Sequence, residues 1–329
     1  MRWNFTIQRP LSPNLVMEAG YMGNHAVRLS ANRGLNWIPE QYLSKQPYRD
    51  QPVIDRLTAN VTNPLRNLLP GTSLNGSTVA LSQLLRPFPQ FSGENGVRLD
   101  SDSYGGSYFH TFQFRLERRL ARGLTYMLNY QWSRLMEKRS YLNPTDRVPE
   151  KRVASEDRPQ RLVVSSVYEL PFGKGRPLAA SAGPVLNRVI GGWSVSGAYT
   201  FASGQALDWG NVIYNGGALA YNSRGVDGAF DTTRFNTDSR FQLANNIRSF
   251  PSRFGNLRQN GPSNFDATIL KNIAIRETFR LQFRAEFFNL MNHVQFVMPN
   301  TTPTNSNFGR ITGQYNLPRT EQMALRLMW

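Results

Sequence analysis

The sequence contains no cysteine and only three histidines, His25, His110 and His293. Disulfides and thiolate metal sites are therefore excluded, and the histidines stand too far apart to form a local metal motif. The compartment stays open, because an oxidising space does not require disulfides. Also missing is any run of about 18 consecutive apolar residues, so no transmembrane helix is predicted. Met1, Arg2, Trp3 and Asn4 do not open a signal peptide, which leaves either a cytoplasmic protein or a true N-terminus that lies elsewhere. Acidic residues are outnumbered by basic ones, 22 against 38, for a formal charge of +16. Such an excess would suit nucleic acid or another polyanion. The arginines, however, are scattered along the chain with no run of five basic residues. Dispersed positive charge equally faces lipopolysaccharide phosphates or lines a pore, and nucleic acid is not an expected partner.

What is present is alternation with a period of two. Leu124, Tyr126, Leu128, Tyr130 and Trp132 alternate with Thr125, Met127, Asn129 and Gln131, leaving one face wholly apolar. The same rule governs Trp3, Phe5 and Ile7; Leu15, Met17, Ala19 and Tyr21; His110, Phe112, Phe114 and Leu116; Trp193, Val195, Gly197, Tyr199 and Phe201; and Phe279, Leu281, Phe283, Ala285 and Phe287. Arg161 to Leu170 and Asn264 to Ile275 read as strands less cleanly, and the closing "EQMALRLMW" alternates again. About nine strands result, mostly near ten residues long. A soluble sandwich also alternates, but its strands average about five or six residues. Here the apolar faces carry aromatics near their ends, and the opposite faces carry Arg, Glu, Gln and Asn. Two solvents, lipid outside and water or a polar plug inside, require that pattern. The expected fold is all-β, a transmembrane antiparallel β-barrel.

Connections alternate in length. Tight turns are predicted at Pro10 to Asn14, Arg119 to Gly123 and Arg276 to Thr278, with a slightly longer one from Pro171. Between them lie long polar stretches, roughly Asn24 to Ser103, Arg134 to Pro159, Gly204 to Pro262 and Asn292 to Pro318. Outer-membrane barrels have short periplasmic turns and long extracellular loops. If the last strand ends in the periplasm, every connection obeys that rule and the first strand begins outside. An odd strand count with an outside start predicts the C-terminal portion of a larger barrel across residues 1–329, with plug and N-terminal domains absent.

Several stretches carry a family likeness: "AGYMGNHAVRL", "LLRPFPQFSG", "FQFRLERRLARGLTYMLNYQWSR", "DRPQRLVVSSVYELPFGKGR", "GGWSVSGAYTFASGQAL", "NFDATILKNIAIRETFRLQFRAEFFNLMNHVQF" and "FGRITGQYNLPRTEQMALRLMW". Together they resemble the C-terminal barrel half of Oar-like TonB-dependent receptors, over essentially the whole chain; "ELPFGKGR" followed by "RAEFFNLMNH" is the specific part. The resemblance implies a barrel of about 22 strands with an N-terminal plug, often behind a carboxypeptidase-regulatory-like sandwich. It implies ligand capture by outer loops, plug rearrangement driven by an inner-membrane energy complex, and passage through the barrel. Plug and TonB complex are partners only if an upstream part exists.

No cofactor is expected, and no catalytic centre: there is no GxSxG elbow, and no motif sets a histidine beside a serine and an acid. "PFGKGR" lacks the spacing and the following hydroxyl of a phosphate loop and reads as a turn. His110 falls on the apolar face and reads as a girdle residue. On the inner wall, Arg280, Gln282, Arg284 and Glu286, with Asp266 and Thr268 on the preceding strand, suit a charge ladder or plug contact, or contact with a passing solute. Loop candidates for an unknown extracellular ligand are Arg86, Phe88 and Phe91 in "RPFPQF", and Trp209 and Tyr214 as exposed aromatics. Met323, Leu325, Leu327 and Trp329 form the lipid face of the final strand and resemble the C-terminal signal read by the barrel-assembly machinery. The expected setting is the outer membrane, among its lipids and lipopolysaccharide. Two other functions fit the same residues: a surface structural or adhesion barrel that anchors large loops, and a soluble basic β-protein that binds polyanions.

Overall fold

The computed structural model describes residues 1–222, 225–275 and 279–329. The turn expected at Arg276 to Thr278 lies outside the described residues.

Nine long strands form one antiparallel sheet: β1 (Arg2–Ser12), β2 (Leu15–Gly34), β5 (Arg98–Ala121), β6 (Leu124–Lys138), β8 (Gln160–Glu169), β9 (Trp193–Ala202), β12 (Ser263–Ala274), β13 (Arg280–Phe288) and β14 (Thr320–Met328). The two-residue β7 (Arg152–Val153) adds to β6 as a tenth. Each long strand pairs with its sequence neighbour among the nine, as an up-and-down meander requires. Among the described residues, β1 and β14 are the two edges and no ladder joins them. The loops hold β3 (Asn60–Thr62) with β4 (Thr78–Ala80), β10 (Ala206–Asp208) with β11 (Arg253–Arg258), and the helices α1 (Gln51–Thr58), α2 (Leu81–Leu84) and α3 (Pro184–Ile190). No described helix is long and apolar enough to cross a membrane.

The register confirms the two faces, because directly opposed residues share a side. One continuous row runs Ile7, Ala19, Phe114, Tyr130, Leu162 and Phe201 across six strands, and on the same side Tyr199 opposes Phe265. Farther along the sheet the same side carries Ile269, Ala285 and Met323. Exposed Trp3, Phe112, Trp132, Met323 and Leu325 all belong to it, which makes it the lipid face. Aromatics gather at its ends, as belts at the two interfaces do: Trp3, Tyr21, Phe112 and Trp132 toward the long loops, Tyr168, Trp193 and Trp329 toward the short turns. His110 accepts or donates a 2.7 Å hydrogen bond with the Tyr21 hydroxyl inside the first belt.

At the short-turn end, Arg122 and Gly123 form a two-residue hairpin with φ of 52° and 80°. Both angles are left-handed, the geometry whose twist matches the flanking strands. The connection expected as a turn from Pro171 is instead a folded segment that spans 170–192 and contains α3. Its Gly173 packs against Gly191, and Asn187 Oδ1 accepts the Lys174 N–H at 2.7 Å.

At the other end the strands outrun expectation. The loop predicted from Asn24 to Ser103 begins only after Gly34, because β2 and β5 continue as a paired ribbon beyond the apolar band. Three register shifts, with Arg28 and Ser101 at positive φ, interrupt that extension. Alternation fails there because both sides meet water, so only backbone pairing remains to be satisfied.

The two faces are open to test. Leu325→Arg places a guanidinium on the lipid side of the middle of β14 and is expected to cost about 2–4 kcal/mol in a urea titration of the folded protein in vesicles. Ala324→Gln, one residue earlier on the lumenal side, is expected to leave that titration unchanged.

Candidate functional site

The long loops do not hang free. Loop 203–262 builds a hydrophobic core of its own around Leu207, Trp209, Val212, Ala229, Phe230, Phe235 and Leu257, with Phe308 contributed by loop 289–319. Trp209 stacks on Phe235 at 5.1 Å between ring centroids and 3° between planes, and Phe230, Phe250 and Phe308 pack edge-on around the pair. Aromatic clusters of this geometry exclude water without any sheet.

Charged side chains then tie the loops together. Glu137 near the end of β6 accepts Arg152 at 2.9 Å and Arg253 of β11 at 2.8 Å, and Arg253 also reaches Asp208 at 2.5 Å. Arg152 donates to the Ser252 hydroxyl, which donates to Glu150. Asp157, almost fully buried, accepts Arg258 at 2.5 Å and the Leu135 N–H at 2.5 Å. Such buried charges are held because each has a partner; removing one partner leaves the other stranded at a cost of about 3–5 kcal/mol. Asn246 donates to the carbonyls of Gln46 and Tyr48, and Arg310 pairs with Asp227, which joins loops 35–97 and 289–319 to the same body. The result is a folded cap at the long-loop end.

Within it the predicted contacts part company. In "RPFPQF" the buried amide of Asn36 accepts the Phe88 N–H at 2.9 Å and donates to the carbonyls of Phe91 and Gly93, both at 3.0 Å. Gln83 donates to Pro89 and Phe91. Two amides therefore fix the loop as a platform that leaves the rings of Phe88 and Phe91 exposed. Arg86 turns inward and donates to the Asn36 carbonyl at 2.5 Å. Trp209 and Tyr214 require correction. Trp209 is only 4% exposed, inside the cap core. Tyr214 packs against that core, with its hydroxyl donating to the Gly217 carbonyl at 2.8 Å. Neither is an exposed aromatic, because the loop's own folding buries them.

A hollow of about 480 Å³ opens where loops 35–97 and 203–262 meet, lined by Tyr48, Arg49, Ile213, Asn215, Phe235, Asn236, Thr237, Asp238 and Phe241. A smaller one of about 320 Å³ lies beside the platform, with Arg33, Trp37, Glu40 and Pro87 on its walls. Tyr48 and Phe241 present exposed rings to the larger hollow. Asp238 is held bidentately by Arg240 and also accepts the Arg240 N–H at 2.9 Å. The Arg240 guanidinium, followed by that backbone N–H, pulls its carboxyl down to about 2. Sequence reading missed Tyr48, Asp238 and Phe241, since only the meeting of two distant loops makes them neighbours.

On the lumenal wall the expected row is there with different partners. Arg284 pairs with Glu286 along its own strand at 2.9 Å. Glu286 accepts Gln322 of β14, and Gln282 donates to Asn272 of β12 at 3.0 Å. Asp266 accepts the Asn264 amide at 2.9 Å and the Asn289 N–H at 2.8 Å, so it anchors the start of loop 289–319 rather than a charge ladder. Arg280 lies on the same side, opposite Met328. Nearer β2, Glu18, Gln113, Arg115, Asn129, Gln131 and Arg161 line a polar hollow of about 420 Å³. Met323, Leu325, Leu327 and Trp329 all stand exposed on the other side or at its end. Among the described residues no group of three or more His, Asp or Glu side chains could hold a metal ion.

A sheet with one lipid face, one polar face, short turns at one end and a folded cap at the other is an outer-membrane barrel wall. The sequence matches the family described as outer membrane β-barrel domain over residues 1–322, and the chain belongs to that family. Its place is the outer membrane. No curated protein matches the sequence. Solved structures similar to it include the Pseudomonas aeruginosa ferripyoverdine receptor of the outer membrane bound to ferripyoverdine, at 12% identity and a TM-score of 0.40, over 100% of this chain and 26% of that one. The outer membrane transporter YddB from Escherichia coli is similar at 9% identity and a TM-score of 0.42, over 99% and 32%. BauA, the ferric preacinetobactin receptor of Acinetobacter baumannii, is similar at 10% identity and a TM-score of 0.42, over 100% and 29%. The chain thus spans roughly a quarter to a third of the length of these proteins.

Trp209→Ala removes the centre of the cap core and is expected to destabilise the cap by about 3–5 kcal/mol. Faster protease nicking within 203–262 on intact cells, with the barrel's heat-dependent gel migration unchanged, is the measurement. Asp238 gives a pH prediction: a carboxyl lowered from 3.8 to about 2 keeps its stabilising contacts above 3.8 and loses them as pH falls through about 2. Carboxyl carbon NMR should titrate it there.

Proposed function

We propose that this chain is one arc of a larger barrel, that of an Oar-like TonB-dependent receptor that takes up an extracellular ligand. The observation that carries the reading is the pairing of a folded cap, with exposed rings at Phe88, Phe91, Tyr48 and Phe241, and a polar lumenal wall below it. A ligand is first held by aromatic faces and the Arg49 and Asp238 charges, then passes a wall of Arg, Glu, Gln and Asn that offers hydrogen bonds throughout. The unpaired edges of β1 and β14 support the larger barrel, since each backbone group left open in lipid costs several kcal/mol. On this reading residues 1–329 form a single barrel portion, a plug from another part of the receptor sits against it and is moved by a separate inner-membrane energy-coupling complex, and the row from Arg280 to Glu286 with Asp266 faces the plug. Met323, Leu325, Leu327 and Trp329 present the final strand to the assembly machinery.

Comparison of spent medium from wild-type cells, cells lacking the gene, and cells treated with an uncoupler tests uptake. The expected result is that the same solute accumulates in the last two cultures, and that Phe88→Ala combined with Phe91→Ala reproduces it with a folded barrel. Unchanged medium together with lost surface attachment would instead assign the loops to adhesion.

A further inference from the structure

The segment 170–192 at the short-turn end is left unused by ligand capture, and its helix is placed in an unusual way. The side chains of Trp193 and Lys271 stand on the lipid face, opposite one another in register and in line with Phe283. Both turn to α3: Trp193 Nε1–H donates to the Val189 carbonyl at 2.9 Å, and the Lys271 ammonium donates to the carbonyls of Val189 and Gly191. Two lipid-side donors therefore cap the C-terminal end of α3 and hold it on the outside of the wall. The backbone is shaped for this. Gly192, at φ 71°, approaches the Asn272 carbonyl so closely that any Cβ would collide with it.

No residue of α3 is buried. Val185, Leu186 and Val189 are 75%, 51% and 63% exposed, and their spacing puts them on one side, with Asn187 on the other. Seven residues are too few to hold a helix in water by backbone bonds alone. The apolar stripe continues the lipid face at the level of Tyr168 and Trp193, where aromatic belts mark the interface. Lys174 and Arg188 are exposed on the same segment, and Arg9 and Arg118 reach the lipid side of the same rim.

We infer that α3 is an interfacial helix that lies in the periplasm-facing leaflet, with Val185, Leu186 and Val189 among the acyl chains and the basic side chains at the phospholipid phosphates. Long basic stems reach headgroups from such positions while their methylenes stay in the apolar layer. The occupant is phospholipid, because the stripe is continuous with a surface that lipid already covers.

The absence of cysteine makes the test direct. Leu186→Cys, Val189→Cys and, as a water control in an extracellular loop, Asn95→Cys are each labelled with an environment-sensitive fluorophore. The whole protein is then reconstituted into liposomes of phosphatidylethanolamine and phosphatidylglycerol that carry acyl-chain nitroxide quenchers. Labels at 186 and 189 are expected to shift to the blue and be quenched, and the label at 95 to do neither. Adding Val189→Asp to the Leu186→Cys protein should return its emission to the aqueous value with barrel migration on gels retained. Aqueous emission at 186 and 189 in a folded barrel would overturn the inference. So would shielding that develops only when periplasmic extract is added, which would assign the stripe to a protein partner.

Discussion

A backbone in hydrocarbon has no water to bond with, so each N–H and C=O of a crossing strand must find a partner on the next strand. That requirement fixes the meander of nine strands, the full ladders from β1 through β14, and the strict two-residue alternation that follows once one side of each ladder meets lipid and the other meets water. Side chains are chosen after the ladder is fixed. Basic residues on the lipid side keep to the rims, Arg9, Arg118 and Lys271 near the short turns and Arg134 near the long loops, where a long stem can reach a polar layer.

Beyond the membrane the requirement lapses, and other forces take over. Water now satisfies stray backbone groups, so loops need not be sheet. The cap is held by an aromatic core around Trp209 and by ion pairs that each span distant parts of the chain. Glu137 and Asp157 are central because each gathers contacts from strands and loops alike. The arginine excess reads differently in this light: much of it is spent inside the cap, bonded to carboxylates and carbonyls, rather than offered to a polyanion.

The contrast explains what was legible in the sequence. Seven of the nine membrane strands could be read cleanly from alternation, and β8 and β12 less cleanly, because two solvents write the pattern directly into residue order. The far ends of β2 and β5 could not, since past the apolar band both sides meet water and the alternation stops. Helix α3 lies where the sequence predicts a turn, because seven residues show little periodicity. Trp209 and Tyr214 look exposed in the sequence because a loop with no regular pattern hides its own core; the density of aromatics between Trp209 and Phe254 is the available signal. The hollow that Tyr48 shares with Phe241 had no sequence signal, being made by a meeting of loops.

The ribbon formed by the outer parts of β2 and β5 carries one more consequence. It rises about 30 Å past the apolar band, stays paired through three register shifts as a continuation of two wall strands, and ends in the loop that holds Phe88 and Phe91. It is a lever whose short arm is embedded in the bilayer. A sideways load on the platform becomes a torque on two adjacent staves of the wall, softened only at the bulged joints near Arg28 and Ser101.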